Sequence, residues 1–211
     1  MGRCVGYDVG AYVPDVEDLS PVTFTDDMRA TAARLPLRSL SGVFFRHTAP
    51  ERQPLELPAT AVRPGRWHRA GDPWPAYSAS TEMAEMLRFV IPDPHEEPPL
   101  PVRRVSELVV EEFAVVDYAN PLAHEMLGIR ASDLTTGSDG DPGAELCRHL
   151  ADVARERPSV LGLLEPSAAR PGAQVLVIFR AGFAHVTVGD QRLLRLALLP
   201  EAEPEQESAT E

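Results

Sequence analysis

Strand-length apolar runs, closely spaced and separated by short polar turns, are the feature that most limits how this chain can fold. In the second half they occupy residues 102–110, 112–116, 160–164, 174–179, 183–188 and 193–199. Arg180-Ala181-Gly182 and Gly189-Asp190-Gln191 read as tight connections between neighbouring runs, which predicts antiparallel pairing there. Helices interleave irregularly. The best of them covers residues 144–156, where Leu146, Leu150, Val153 and Ala154 recur at helical spacing. The class that follows is α+β, with a mixed or antiparallel sheet and short helices, and not a doubly wound parallel sheet.

The first half is more heavily punctuated. Thr25-Asp26-Asp27 suits an N-cap and acidic first turn, and Pro36 ends the short helix that runs to Leu35. Residues 1–40 read as an N-terminal extension, 41–199 as the main domain and 200–211 as a disordered, Glu/Pro-rich acidic tail. Gly42-Val43-Phe44-Phe45-Arg46 reads as a buried strand ending in a charge. A proline-rich loop then runs from Thr48 to about Pro75 and holds both tryptophans. A loop of that length is uncommon in a compact domain unless it serves a function. Residues 76–80 form a strand entering a helix at Thr81, with Ser80 or Thr81 as cap. A short helix over residues 122–127 stops at Gly128, and residues 132–134 begin a further turn.

Charge narrows the chemistry. All 20 basic residues are arginine, so no Schiff-base or phosphate-loop lysine exists. Thirty-two acidic residues give a net charge of −12, which argues against direct binding of nucleic acid through a broad basic face. A local arginine fork can still grip a small anion. No apolar run approaches the ~18–20 residues of a membrane helix, and the N-terminus lacks a secretory leader pattern. Cys4 and Cys147 make no metal or disulfide framework, so the expectation is a cytoplasmic protein with no membrane partner and no metal. The G-x-G-x-x-G, G-x-S-x-G and H-E-x-x-H patterns are absent. His47, His124 and His149 read as surface or cap residues.

One group of residues stands out: Arg46, Gly65-Arg66-Trp67, Tyr77 and Glu85. A guanidinium matches a phosphate bidentately, and an aromatic face packs on a base or a nicotinamide ring. A carboxylate stabilises the positive charge that grows on a ribose when its glycosidic bond breaks.

In that order the motifs resemble those of the RES-domain family. Phe45-Arg46 ends an early strand, and Gly65-Arg66-Trp67 follows a variable loop. Tyr77-Ser78-Ala79-Ser80-Thr81 enters a helix carrying Met83-Ala84-Glu85. Glu165-Pro166-Ser167-Ala168-Ala169-Arg170 precedes a last strand at residues 175–179, and residues 115–121 resemble a further family segment. The resemblance spans about residues 42–180. It implies a fold similar to ADP-ribosyltransferases and a toxin-like activity that degrades NAD⁺ at the nicotinamide–ribose bond, by phosphorolysis or hydrolysis. NAD⁺ is then the substrate and no separate cofactor is required, with inorganic phosphate as co-substrate of the phosphorolytic route. An Xre-like antitoxin that blocks the active site is the implied protein partner, and a homo-oligomer is left open.

Carried over residue by residue, Arg46 would hold the pyrophosphate or the nicotinamide ribose, Tyr77 would pack on the nicotinamide end, and Glu85 would orient the ribose. Ser167 would line the pocket, and Arg66 with Trp67 would shape its wall. The chain departs from the family pattern in two places: His68 stands where an Asn often follows G-R-W, and the Tyr77–Glu85 step is short. Glu82, on the same helix face, is the alternative acid, and Trp74 the alternative aromatic. Two other functions fit the same residues: a catalytically degenerate module that binds a protein or nucleotide, and an ADP-ribosyltransferase that modifies a protein.

Overall fold

A computed structural model describes residues 22–90, 102–135 and 142–195. The acidic tail, Cys4 and the start of the N-terminal extension lie outside the described residues.

Six strands form a mixed sheet: β1 (Leu37–Thr48), β2 (Ala76–Ala79), β3 (Val102–Asp117), β4 (Gly162–Pro166), β5 (Gln174–Ile178) and β6 (Val186–Arg195). Their order is β1-β2-β5-β4-β3-β6, and β1 also pairs with β3, so five strands close a ring with β6 attached to the outer half of β3. Only β3 and β4 are parallel. The 44 residues between them carry the helices α3 (Pro121–Leu127), α4 (Ala131–Thr135) and α5 (Pro142–Arg155). Earlier in the chain lie α1 (Asp26–Ala32) and α2 (Glu82–Val90).

Two large apolar cores result among the described residues, beside a small cluster of Ala79, Ala84 and Ala173. Leu40, Phe44, Leu108, Val110, Phe113, Val115, Leu164, Leu176 and Ile178 pack with one another, all from strands that alternate faces. On the other side, α1, α3 and α5 lay Met28, Ala123, Leu127, Leu146, Leu150 and Val153 against Val116, Leu163 and Val177. The sequence stops these helices with ordinary chemistry. The Thr25 hydroxyl accepts from Met28 N at 3.2 Å at the start of α1. Asn120 accepts from Leu122 N at 3.0 Å, Pro121 opens α3, and Gly128 ends it at φ +65°. Within the stretch read as an extension, Met28, Ala32 and Leu35 are core residues and β1 already starts at Leu37.

The structure corrects three strand assignments. Residues 102–110 and 112–116 are one strand, not two. Glu111 and Glu112 face the single residue Ser41, and the bulge is satisfied by Glu112 (φ +48°) donating its N–H to the Ser41 hydroxyl at 3.1 Å. Gly189-Asp190-Gln191 is no turn: it runs through the middle of β6, where Gly189 and Asp190 oppose Glu107 in another bulge. Arg180-Ala181-Gly182 is no hairpin either, because residues 180–185 form a 3-10 helix that carries the chain away from β5 to pair with β3. Local turn chemistry was satisfied in each case by extending or redirecting a strand.

Candidate functional site

Arg46 lies two residues before the end of β1, where β1 and β2 meet through a single register pair, Phe45 with Ala79. Its guanidinium bridges that seam, with Nη1 donating to the Tyr77 carbonyl at 2.7 Å and Nε to the Pro54 carbonyl at 2.7 Å. The next residue brings in the acid. The backbone N–H of His47 donates to Glu85 Oε1 at 2.9 Å, and His47 Nδ1 lies 2.8 Å from the same oxygen. Glu85 reaches it from the first turn of α2, which Thr81 caps by accepting from Ala84 N at 3.1 Å. Glu85 is 1% exposed. A carboxylate that deep needs compensation, and His47 supplies a main-chain hydrogen bond and a close imidazole contact. Glu82 is 31% exposed and turns to Arg192 on β6, so the two acids of α2 serve different strands.

Tyr77 links this group to the loop. Its phenol oxygen accepts from Trp67 N at 3.2 Å and lies 2.9 Å from His68 Nδ1. His68, at the departure from the family pattern, is therefore a buried partner of Tyr77. The imidazole folds back so far that a Cβ on Gly65 would lie 2.8 Å from its Nδ1, which is why glycine occupies the first position of the turn. Gly65 N–H donates to the His68 carbonyl at 2.9 Å. Trp74 is a weaker candidate for the same role, its ring tilted against His68 at 6.3 Å.

Helix α5 grips the Gly65-Arg66-Trp67 turn with two arginines on one face. Arg148 Nε donates to the Gly65 carbonyl at 3.0 Å, and Arg155 Nη2 donates to the Trp67 carbonyl. Trp67 is fully buried, stacks on Tyr118 at 5.6 Å and donates its indole N–H to the Glu165 carboxylate. Arg66 sends Nη1 to the Leu134 carbonyl at 2.6 Å. Around it, burial pushes the Cys147 thiol well up, and the Glu165 charge adds to the effect.

Ser167 closes β4. Its N–H donates to the Ala173 carbonyl at 2.9 Å, and its hydroxyl accepts from Arg170 N at 3.2 Å. Two residues earlier, within β4, lies Glu165, the acceptor of the Trp67 indole.

Arg46, Tyr77 and Glu85 thus gather where β1, β2 and α2 meet, while Trp67 joins through the Tyr77 phenol. Arg66 and Ser167 engage backbone groups at the flanks. Two residues escaped the sequence reading. Glu165, quoted within a motif, is the buried acceptor of Trp67, and His47, read as surface or cap, is the direct partner of Glu85. His124 Nε2 lies 2.6 Å from the Tyr118 carbonyl, and His149 stacks on Phe24 at 4.8 Å. Among the described residues, no group of three or more His, Cys, Asp or Glu is placed to hold a metal, and no helix is long and apolar enough to cross a membrane.

Comparison with known proteins places this arrangement. The chain is 30% identical over 151 residues to the probable NAD(+) phosphorylase Rv3189 of Mycobacterium tuberculosis, covering 70% of this chain and 68% of that protein. The crystal structure of the M. tuberculosis MbcT–MbcA toxin–antitoxin complex contains the same fold, at a TM-score of 0.63 and 18% identity over 81% of this chain and 93% of that one. The family model described as the RES domain matches residues 37–197, from the first residue of β1 to just beyond β6. With sheet, seam and motifs all inside that span, the chain belongs to the RES domain family.

Proposed function

We propose that this chain is an NAD⁺-degrading enzyme that cleaves the bond between nicotinamide and ribose, with a toxin-like role. The observation that carries the proposal is the seam where the Arg46 guanidinium bonds the main chain of Tyr77 and the next residue, His47, bonds the buried Glu85 carboxylate, in a chain 30% identical to a probable NAD(+) phosphorylase. In the reaction the C–N bond breaks and its electron pair leaves with the nicotinamide nitrogen, which becomes neutral. The ribose carbon takes on oxocarbenium character, and an oxygen of phosphate or water bonds to it, losing a proton when water is the acceptor. Glu85 is the group suited to stabilise that developing positive charge, since an ionised carboxylate in a dry site acts with little screening.

Arg46 would hold the pyrophosphate or the nicotinamide ribose, and Tyr77 would pack on the nicotinamide end. Ser167 would line the phosphate or adenosine side. Arg66 and Trp67 would form the wall, a role supported by the contacts that fix their turn to α4 and α5. No cofactor beyond the substrate enters this scheme. The ring of strands would correspond to the ADP-ribosyltransferase fold that the family resemblance implies, the enzyme would work in the cytoplasm, and an Xre-like antitoxin would cover the site.

Purified protein incubated with NAD⁺ should release nicotinamide. A dependence on added phosphate would identify ADP-ribose phosphorylated at the anomeric carbon as the second product, whereas free ADP-ribose would identify water as acceptor. An NAD⁺ pool left intact after long incubation would refute the proposal, and transfer of label from NAD⁺ to protein would replace it with ADP-ribosylation.

A further inference from the structure

We propose that His47 is a positioning residue for Glu85: it holds the carboxylate in the orientation the site uses. The inference rests on the NAD⁺-cleaving reading of the site and adds to it a residue outside the motif set.

The last torsion of a glutamate is soft, so burial alone does not determine where its two oxygens point. Here one residue approaches Oε1 from two sides, the backbone N–H hydrogen-bonding it at 2.9 Å and the imidazole Nδ1 in ion-pair contact at 2.8 Å. The backbone donor is itself immobile, because His47 sits in the β1–β3 ladder opposite Val105. With Oε1 held from two sides, the carboxylate is restrained about its last torsion.

The imidazole side chain is 20% exposed while its carboxylate partner is 1% exposed. Loss of the imidazole would leave the backbone bond in place and remove the charge-assisted partner. The side chain and the main chain thus contribute separable parts of the same geometry.

The test uses the full chain and steady-state nicotinamide release. His47→Ala should lower kcat by ~10- to 100-fold with KM changed less than about threefold, the pattern of an interaction that matters in the transition state. His47→Asn places an amide N–H close to the Nδ1 position and should recover kcat to within about fivefold of the parent, while His47→Gln, one bond longer, should not. A purely structural role would make the Asn and Gln variants alike. If His47→Ala does not fold, the Asn–Gln pair decides alone. Wild-type turnover with an unchanged kcat in His47→Ala, or with Asn no better than Gln, overturns this inference and leaves the proposed activity standing. Absence of nicotinamide release from the wild type overturns the activity first and the inference with it.

Discussion

Trp67 donates its indole N–H to the carboxylate of Glu165, joining the loop between β1 and β2 to the end of β4 at a point where the two residues are 0% and 5% exposed. A hydrogen bond to a charged group contributes roughly 1.5–3 kcal/mol, and more is lost when the charge stays behind unpaired. Trp67→Phe keeps an aromatic face for Tyr118 but removes the donor, so it should lower unfolding free energy by about 2–4 kcal/mol. Glu165→Gln retains an acceptor oxygen and should cost less. Urea titration of both variants gives the comparison, and equal midpoints would contradict it.

The two acids of α2 separate cleanly by partner. Glu85→Gln should reduce kcat for nicotinamide release by ~100-fold or more, the scale seen when a preorganised transition-state group is lost. Glu82→Gln breaks only a part-exposed pair with Arg192 and should leave kcat within about twofold and stability within ~1 kcal/mol. The reverse ranking would transfer the role to Glu82.

Alkaline pH should destabilise the fold through Cys147 and Tyr118. Burial pushes both acids up, helped at Cys147 by Glu165 and opposed at Tyr118 by Arg157. The folded state keeps both protons where the unfolded chain would lose them at about pH 8.5 and 10. That contribution is fully present below the lower value and is lost as pH rises beyond it, at up to ~1.4 kcal/mol per pH unit for each group. Urea midpoints should therefore fall between pH 8 and 10.5, and Cys147→Ala should flatten the first part of the fall. A midpoint constant over that range would exclude the linkage.

Gly182 is packed against backbone. A Cβ there would lie 2.6 Å from the Leu161 carbonyl oxygen and 2.7 Å from Phe113 Cζ. Gly182→Ala should cost ~1–3 kcal/mol by overpacking, read as a lower thermal midpoint. A midpoint within a degree of the parent would show that the 3-10 segment yields freely.

What the sequence made legible was mostly local. The cap at Thr25, the stop at Gly128 and the apolar face of α5 follow from neighbours within a turn or two, and they stand where expected. Strand continuity did not read out, because glycine and paired polar residues signal a bulge and a turn alike. Only the partner strand distinguishes them: Ser41 holds Glu112 in the ladder, and Glu107 faces two residues of β6. The site divides along the same line. Arg46, Tyr77 and Glu85 stood out by residue type and order, and they come together at one seam. His47 did not, since its partner is 38 residues away on a helix and nothing in its immediate sequence reveals that contact.

The single register pair between β1 and β2 gives Arg46 a double duty. Main-chain bonding is sparse at that junction, so its guanidinium, spanning the Tyr77 and Pro54 carbonyls, acts as a side-chain rivet in the wall of the ring. Any anion that recruits Arg46 must compete with those two carbonyls. If Arg46 does hold an anion, its affinity would depend as much on how readily the wall is unfastened as on the ligand's own charge.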